Sequence, residues 1–155
     1  MSAAPLSLPD LRAQLKRRQR LIGIDPGTKT IGLALSDFML TIATPMETVK
    51  RKKFTQDVVR IAEIVSEQDV GGFVIGLPVN MDGSEGPRCQ SVRQFARNLA
   101  DKLALPYTFW DERLSTAAVT RTLLEFDASR AKRAEVVDKM AASYILQGAL
   151  DALSH

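Results

Sequence analysis

Two short apolar runs, Leu21-Ile-Gly-Ile-Asp25 and Ile31-Gly-Leu-Ala-Leu-Ser36, flank a Pro26-Gly27 turn, and this arrangement constrains the fold more than any other feature of the chain. Apolar runs this short, bounded by turn residues, read as strands, so a tight hairpin is expected. Thr41 to Val49 carries strand-forming residues on both sides of Pro45. Proline cannot donate to a ladder, so a third strand here belongs at an edge, at a bulge or across a break.

Downstream the period changes. Phe54, Val58, Ile61, Ala62 and Val65 recur on one helix face, with Gly71-Gly72 expected to mark that helix's end. Gly72-Phe-Val-Ile-Gly76 reads as a buried strand, followed by a loop rich in Gly, Pro, Asn and Asp and by a helix carrying Val92, Phe95, Ala96, Leu99 and Leu103. Tyr107-Thr-Phe-Trp-Asp111 is aromatic and strand-like. Ser115 is placed to cap a helix continued by Ala118, Val119 and Leu123, and Val137, Met140, Ala141, Tyr144, Ile145 and Gly148 define a last amphipathic helix. A hairpin followed by alternating strands and helices predicts an α/β fold with a mixed sheet flanked by helices, its later strands parallel to the first.

A chain of 155 residues fits one domain. Residues 1–19 hold two prolines and then a basic stretch, and they read as a flexible tail ahead of a single domain over 20–155. Leu8, Leu11 and Leu15 have helical spacing, but nothing in the sequence ties them to the core. No apolar run reaches the roughly 18 residues of a membrane span, and the start lacks the pattern of a signal peptide, so a cytoplasmic protein with no membrane partner is expected.

Composition narrows the chemistry. Cys89 is the only cysteine, which excludes an internal disulfide and argues against a thiolate zinc site. The only histidine is the last residue, His155, so a serine-hydrolase or papain-like mechanism lacks its usual base. Hydrolysis would rest on carboxylates, a lysine or a metal-bound hydroxide. A net charge of +3, with basic runs at Lys16 to Arg20, Lys50 to Lys53 and Arg130 to Arg133, suits a phosphate-rich partner.

Three acids occupy telling places. Asp25 closes a run expected to be a central strand, Glu112 sits just past the aromatic strand, and Asp138 stands near the start of the last helix in line with Ala141, Ala142 and Ile145. Parallel strands place Asp25 and Glu112 at one sheet edge, where open α/β sheets bind ligands, and a helix crossing that edge could add Asp138. Clustered carboxylates call for a cation, and an all-oxygen donor set suits Mg²⁺ or Mn²⁺, the ions of two-metal phosphodiester hydrolysis. The turn Asp25-Pro-Gly-Thr28-Lys29-Thr30 offers backbone N–H groups to a phosphate, and the loop Gly76-Leu-Pro-Val-Asn80-Met-Asp-Gly-Ser84 lies at the mouth of the expected site. Thr28, Lys29, Asn80 and Arg113 are therefore candidates for substrate contact.

At these residues the sequence resembles the YqgF family of RNase H-like nucleases, which are also described as Holliday-junction-resolvase-like proteins and as nucleases of the 5′ end of 16S rRNA precursors. The resemblance runs from Leu21 to Leu153. It is carried by Gly23-Ile-Asp25-Pro-Gly-Thr-Lys-Thr-Ile-Gly-Leu-Ala-Leu-Ser-Asp37, Gly76-Leu-Pro-Val-Asn-Met-Asp-Gly-Ser84, Asp111-Glu-Arg-Leu-Ser-Thr116 and Asp138-Lys-Met-Ala-Ala142 with Ile145-Leu146. It implies an RNase H-like fold with a five-stranded mixed sheet and a metal-binding catalytic triad at Asp25, Glu112 and Asp138. Precursor rRNA and branched DNA both remain open as substrates, and a junction resolvase would act as a homodimer. Two other readings stand beside the endonuclease. One is a nucleotide-hydrolysing relative of actin-like folds, disfavoured by length; the other is a nucleic-acid or ribosome-binding module without chemistry.

Overall fold

The computed structural model of the chain describes residues 4–115 and 130–154, the side chains of 130–137 excepted. Its order is α1 (Leu8–Gln14), β1 (Arg20–Pro26), β2 (Thr30–Ser36), β3 (Ala43–Lys50), α2 (Phe54–Glu67), β4 (Val70–Leu77), α3 (Pro87–Leu103), β5 (Tyr107–Asp111), a 3₁₀ turn (Glu112–Leu114) and α4 (Arg130–Leu153). The five strands form one sheet in the order β3-β2-β1-β4-β5. The first three pair antiparallel, and β4 and β5 run parallel to β1. This is the mixed sheet expected from the hairpin and the later crossovers. The helix expected over Ala118 to Leu123 lies outside the described residues.

Strand alternation divides the core into two layers. Ile22, Ile24, Ile31, Leu33, Phe73 and Ile75 pack with Val58 and Ile61 of α2 and Val92, Phe95 and Leu99 of α3. On the other face, Leu21, Ala34 and Val74 pack with Leu11 of α1 and with Ala142, Ile145, Leu146 and Ala149 of α4. Successive strand side chains point to opposite faces, so Asp25, one step beyond Ile24, belongs to the α4 face.

Helix α4 sits unusually close to the sheet because glycines floor it. A Cβ on Gly23 would lie 2.6 Å from Leu146 Cβ, and one on Gly32 would lie 2.0 Å from the backbone oxygen of Asp138. Real Cβ atoms do not approach so near, so glycine at these strand positions is what admits the helix backbone.

Pro45 lies on the edge strand β3, at a bulge. Leu33 is paired with Glu47 and Ala34 with Pro45, which leaves Met46 as the extra residue. Two of the three placements open to a proline-bearing strand are thus realised together.

Two expectations need correction. The Gly71-Gly72 pair does not end α2; the helix stops at Glu67, Asp69 takes the left-handed turn with φ 52°, and both glycines lie inside β4. A Cβ on Gly71 would meet Gln19 Oε1 at 2.4 Å, and one on Gly72 would meet Leu11 Cδ1 at 2.8 Å. The glycines make room for the leading segment, which is the second correction. Leu11 is fully buried, the Leu6 N–H donates to the Tyr107 carbonyl at 2.9 Å, and Ser7 caps α1 by accepting from the Asp10 N–H. From Leu6 onward the segment expected to stay outside the core contributes to it. Among the described residues no helix is long and apolar enough to cross a membrane.

Candidate active site

The C-terminal ends of β1, β4 and β5 open onto a cavity of about 330 Å³, and Asp25, Glu112 and Asp138 all line it. Each arrives by a different route. Asp25 is the penultimate residue of β1, paired with Gly32 of β2, and is 4% exposed. Glu112 opens the 3₁₀ turn directly after β5 and is 8% exposed. A Cβ on Gly76 of β4 would come 2.4 Å from Ile145 Cδ1 and 3.0 Å from Glu112 Oε1, so glycine there makes room for both the α4 side chain and the carboxylate.

Asp138 is delivered by α4. The helix begins at Arg130, so Asp138 stands in its third turn rather than near its start, and its backbone rests on Gly32. Its Oδ2 accepts a hydrogen bond from the Thr30 hydroxyl. The structure brings the three carboxylates to one cavity. Among the described residues, however, no three Asp, Glu, His or Cys side chains are gathered tightly enough to form a ready-made metal cluster. Their chemistry still fits a hard cation, since every donor is oxygen and two of the three carboxylates are buried.

The turn between β1 and β2 forms the other wall. Its Gly27 N–H donates to Thr30 O at 2.9 Å, and two arginines grip it from outside: Arg88 Nη2 donates to Pro26 O and Arg51 Nη1 to Gly27 O, both at 2.6 Å. Burial pulls the Arg51 guanidinium below its ordinary pKa; the Asp57 charge opposes this and the Arg88 charge adds to it. Arginine nonetheless remains charged at any physiological pH. The Arg51 guanidinium also stacks 5.1 Å from the Phe95 ring centroid.

Of the candidates for substrate contact, Thr28 and Lys29 line the cavity and Asn80 and Arg113 do not. Asn80 is occupied within its own loop, donating from Nδ2 to Ser84 Oγ at 3.1 Å while Ser84 Oγ donates to Asp82 Oδ1. Arg113 forms an ion pair with Asp111 at 2.6 Å and donates to Met81 O at 3.4 Å, tying that loop to the end of β5. The Arg113 hydrogen bond holds the Asp111 carboxyl below the usual range. Sequence reasoning missed Thr30, Arg51 and Arg88. A signal for Arg88 was present, because a cation in the first turn of a helix opposes the helix dipole and asks for a reason.

Residues 19–152 match the family model described as RuvX: Holliday junction resolvase. A relative from Paramagnetospirillum magneticum is 65% identical over 148 residues, spanning 95% of this chain and 96% of its own length. Another, from Methylocella silvestris, is 61% identical over 153 residues, spanning 99% and 95%. Both carry names that designate candidate pre-16S rRNA nucleases. Among solved structures, T. thermophilus RuvC in complex with a Holliday junction substrate superposes with a TM-score of 0.53 at 13% identity, covering 88% of this chain and 96% of that one. That likeness is one of fold, and the fold is the RNase H-like α/β architecture expected from the sequence.

Proposed function

The chain belongs to the RuvX: Holliday junction resolvase family, and on that premise we propose that it is a metal-dependent nuclease whose substrate is precursor 16S rRNA. The observation that carries this reading is the cavity itself: three carboxylates from β1, the turn after β5 and α4 share it with Lys29 and Arg88. Relatives matched along nearly their whole length bear a pre-16S rRNA name, which favours RNA over branched DNA.

Asp25, Glu112 and Asp138 would hold Mg²⁺ or Mn²⁺, which when bound would act as a Lewis acid, activating water and offsetting charge on the leaving oxygen. The chain's own residues do the positioning. Thr30 fixes the Asp138 carboxylate by its hydroxyl, and burial of Asp25 and Glu112 keeps bulk water from screening their charge. Thr28 and Lys29, on the turn that forms the wall, meet the phosphate that enters. A protein of this activity works in the cytoplasm, where ribosomal precursors mature, and one copy suffices to trim RNA.

The family's description favours a second reading, resolution of four-way DNA junctions, which needs paired cuts and hence a homodimer. Cleavage of a precursor 16S transcript and of a synthetic junction, assayed in parallel with Mg²⁺ and with Mn²⁺ while solution mass is measured, separates the two. The first reading expects RNA cut by a monomer. Symmetric junction cleavage by a dimer would replace it, and salt-sensitive RNA binding with no cleavage under either metal would leave only a binding module.

A further inference from the structure

Arg88 combines four features that a purely structural arginine does not need. It lines the cavity with the three carboxylates, yet it makes no ion pair among the described residues. Among the described residues its guanidinium makes one hydrogen bond, from Nη2 to Pro26 O, which uses a single donor of five. It stands in the first turn of α3, which has no acidic residue to offset it. A second guanidinium, Arg51, is near enough to be felt by charge and anchors the next carbonyl of the same turn.

The Arg51 and Arg88 charges repel one another, and Asp57 offsets this at Arg51, whereas Arg88 has no ion-pair partner among the described residues. The Pro26 carbonyl orients Arg88 but carries no charge to pair with it. A phosphodiester supplies that charge: its oxygens would face Arg88 and Lys29 at the rim while the carboxylates face the reacting bond. Planar bidentate pairing with phosphate is the interaction for which a guanidinium is shaped.

We infer that Arg88, held in place through Pro26 O and backed by Arg51, grips a backbone phosphate of the RNA and sets its register over Asp25, Glu112 and Asp138. This rests on the nuclease reading for the identity of the ligand, but Arg88 would be a phosphate-binding residue whether or not cleavage follows.

The test measures binding by the full chain carrying Asp25→Asn, with a single-stranded RNA oligonucleotide as probe. Each phosphate contact on a single strand contributes about 0.7 to the slope of log Kobs against log salt. Adding Arg88→Gln is expected to reduce that slope by about 0.7, and Arg88→Lys to retain it. Arg97→Gln, on the exposed side of α3 where Arg97 donates to Gln94, should leave it unchanged. A slope unaltered by Arg88→Gln would overturn the inference and reduce Arg88 to a brace for the turn.

Should Arg88→Gln fail to fold, arginine-selective dicarbonyl labelling of the Asp25→Asn chain, read by mass spectrometry, asks the same question. RNA is expected to protect Arg88 and not Arg97; equal labelling of Arg88 with and without RNA would overturn the inference. The two readings fail separately. Cleavage by the parent chain with an unchanged slope removes only Arg88, whereas a changed slope in a chain that never cleaves removes the nuclease and keeps the phosphate contact.

Discussion

Thr30 donates its hydroxyl to Asp138 across 108 positions of sequence, joining the start of the second strand to the third turn of the last helix. The bond crosses the cavity wall and orients a carboxylate whose backbone is already pressed onto Gly32. A hydrogen bond to a charged group contributes about 1.5–3 kcal/mol, equivalent to roughly tenfold to hundredfold in rate if it serves only the transition state. Thr30→Val should therefore slow RNA cleavage by about tenfold or more while Thr30→Ser stays near the parent. Single-turnover kinetics of the three proteins check this, and equal rates for Val and Ser would remove Thr30 from the site.

Gly32 tolerates no side chain. Alanine there would place a Cβ 2.0 Å from the Asp138 carbonyl oxygen, a backbone atom that cannot swing aside. Overpacking typically costs 1–3 kcal/mol and occasionally more. Gly32→Ala should lower the melting temperature by about 4–10 °C and reduce cleavage further than the loss of folded protein explains, because α4 must lift and carry Asp138 with it. Thermal melts and activity at a temperature where the variant is folded test both halves.

The leading segment should matter to stability. Leu11 is fully buried beside Leu21 and Val74, and removing a buried leucine costs about 2–5 kcal/mol. Leu11→Ala and deletion of residues 1–19 should both lower the denaturant midpoint. An unchanged midpoint after deletion would restore the view of this segment as a tail.

The Asp111–Arg113 pair gives an acid-side prediction. The folded-state pKa of Asp111 is lowered, first by the Arg113 hydrogen bond, so the pair's contribution is present above the carboxyl's ordinary value of 3.8 and is lost as pH falls through the lower folded value. Partial exposure of both side chains keeps that contribution small. Stability of the parent should fall more steeply than that of Arg113→Gln as pH drops below 3.8. Urea melts across that range decide it, and parallel curves would show the pair to be inert.

These relationships also show where the sequence speaks plainly. The hairpin, the parallel later strands and the common sheet edge of Asp25 and Glu112 follow from periodicity, turn residues and crossover geometry, because each depends on local pattern plus a small set of topological rules, whereas the sequence left three placements open for Pro45 and only allowed that a helix could add Asp138. What stayed hidden depends on tertiary approach. Gly71 and Gly72 have the composition of a helix stop, yet serve as clearance for Leu11 and Gln19. Asn80 and Arg113 sit in the right motifs, but their side chains turn to Ser84 and Asp111 instead of into the cavity. Arg88 carries a signal in its place in the first turn of a helix, but only the cavity shows what it faces.

The central claim is that three carboxylates, one from the first strand, one from the turn after the fifth and one from the last helix, act together on a phosphodiester. Single-turnover cleavage of a precursor 16S transcript with Mg²⁺ by the parent, Asp25→Asn, Glu112→Gln and Asp138→Asn tests it most directly. The account predicts losses of at least ~100-fold for each variant at a temperature where its melt shows it folded. Any one of the three folded variants cutting at the parent's rate would contradict it.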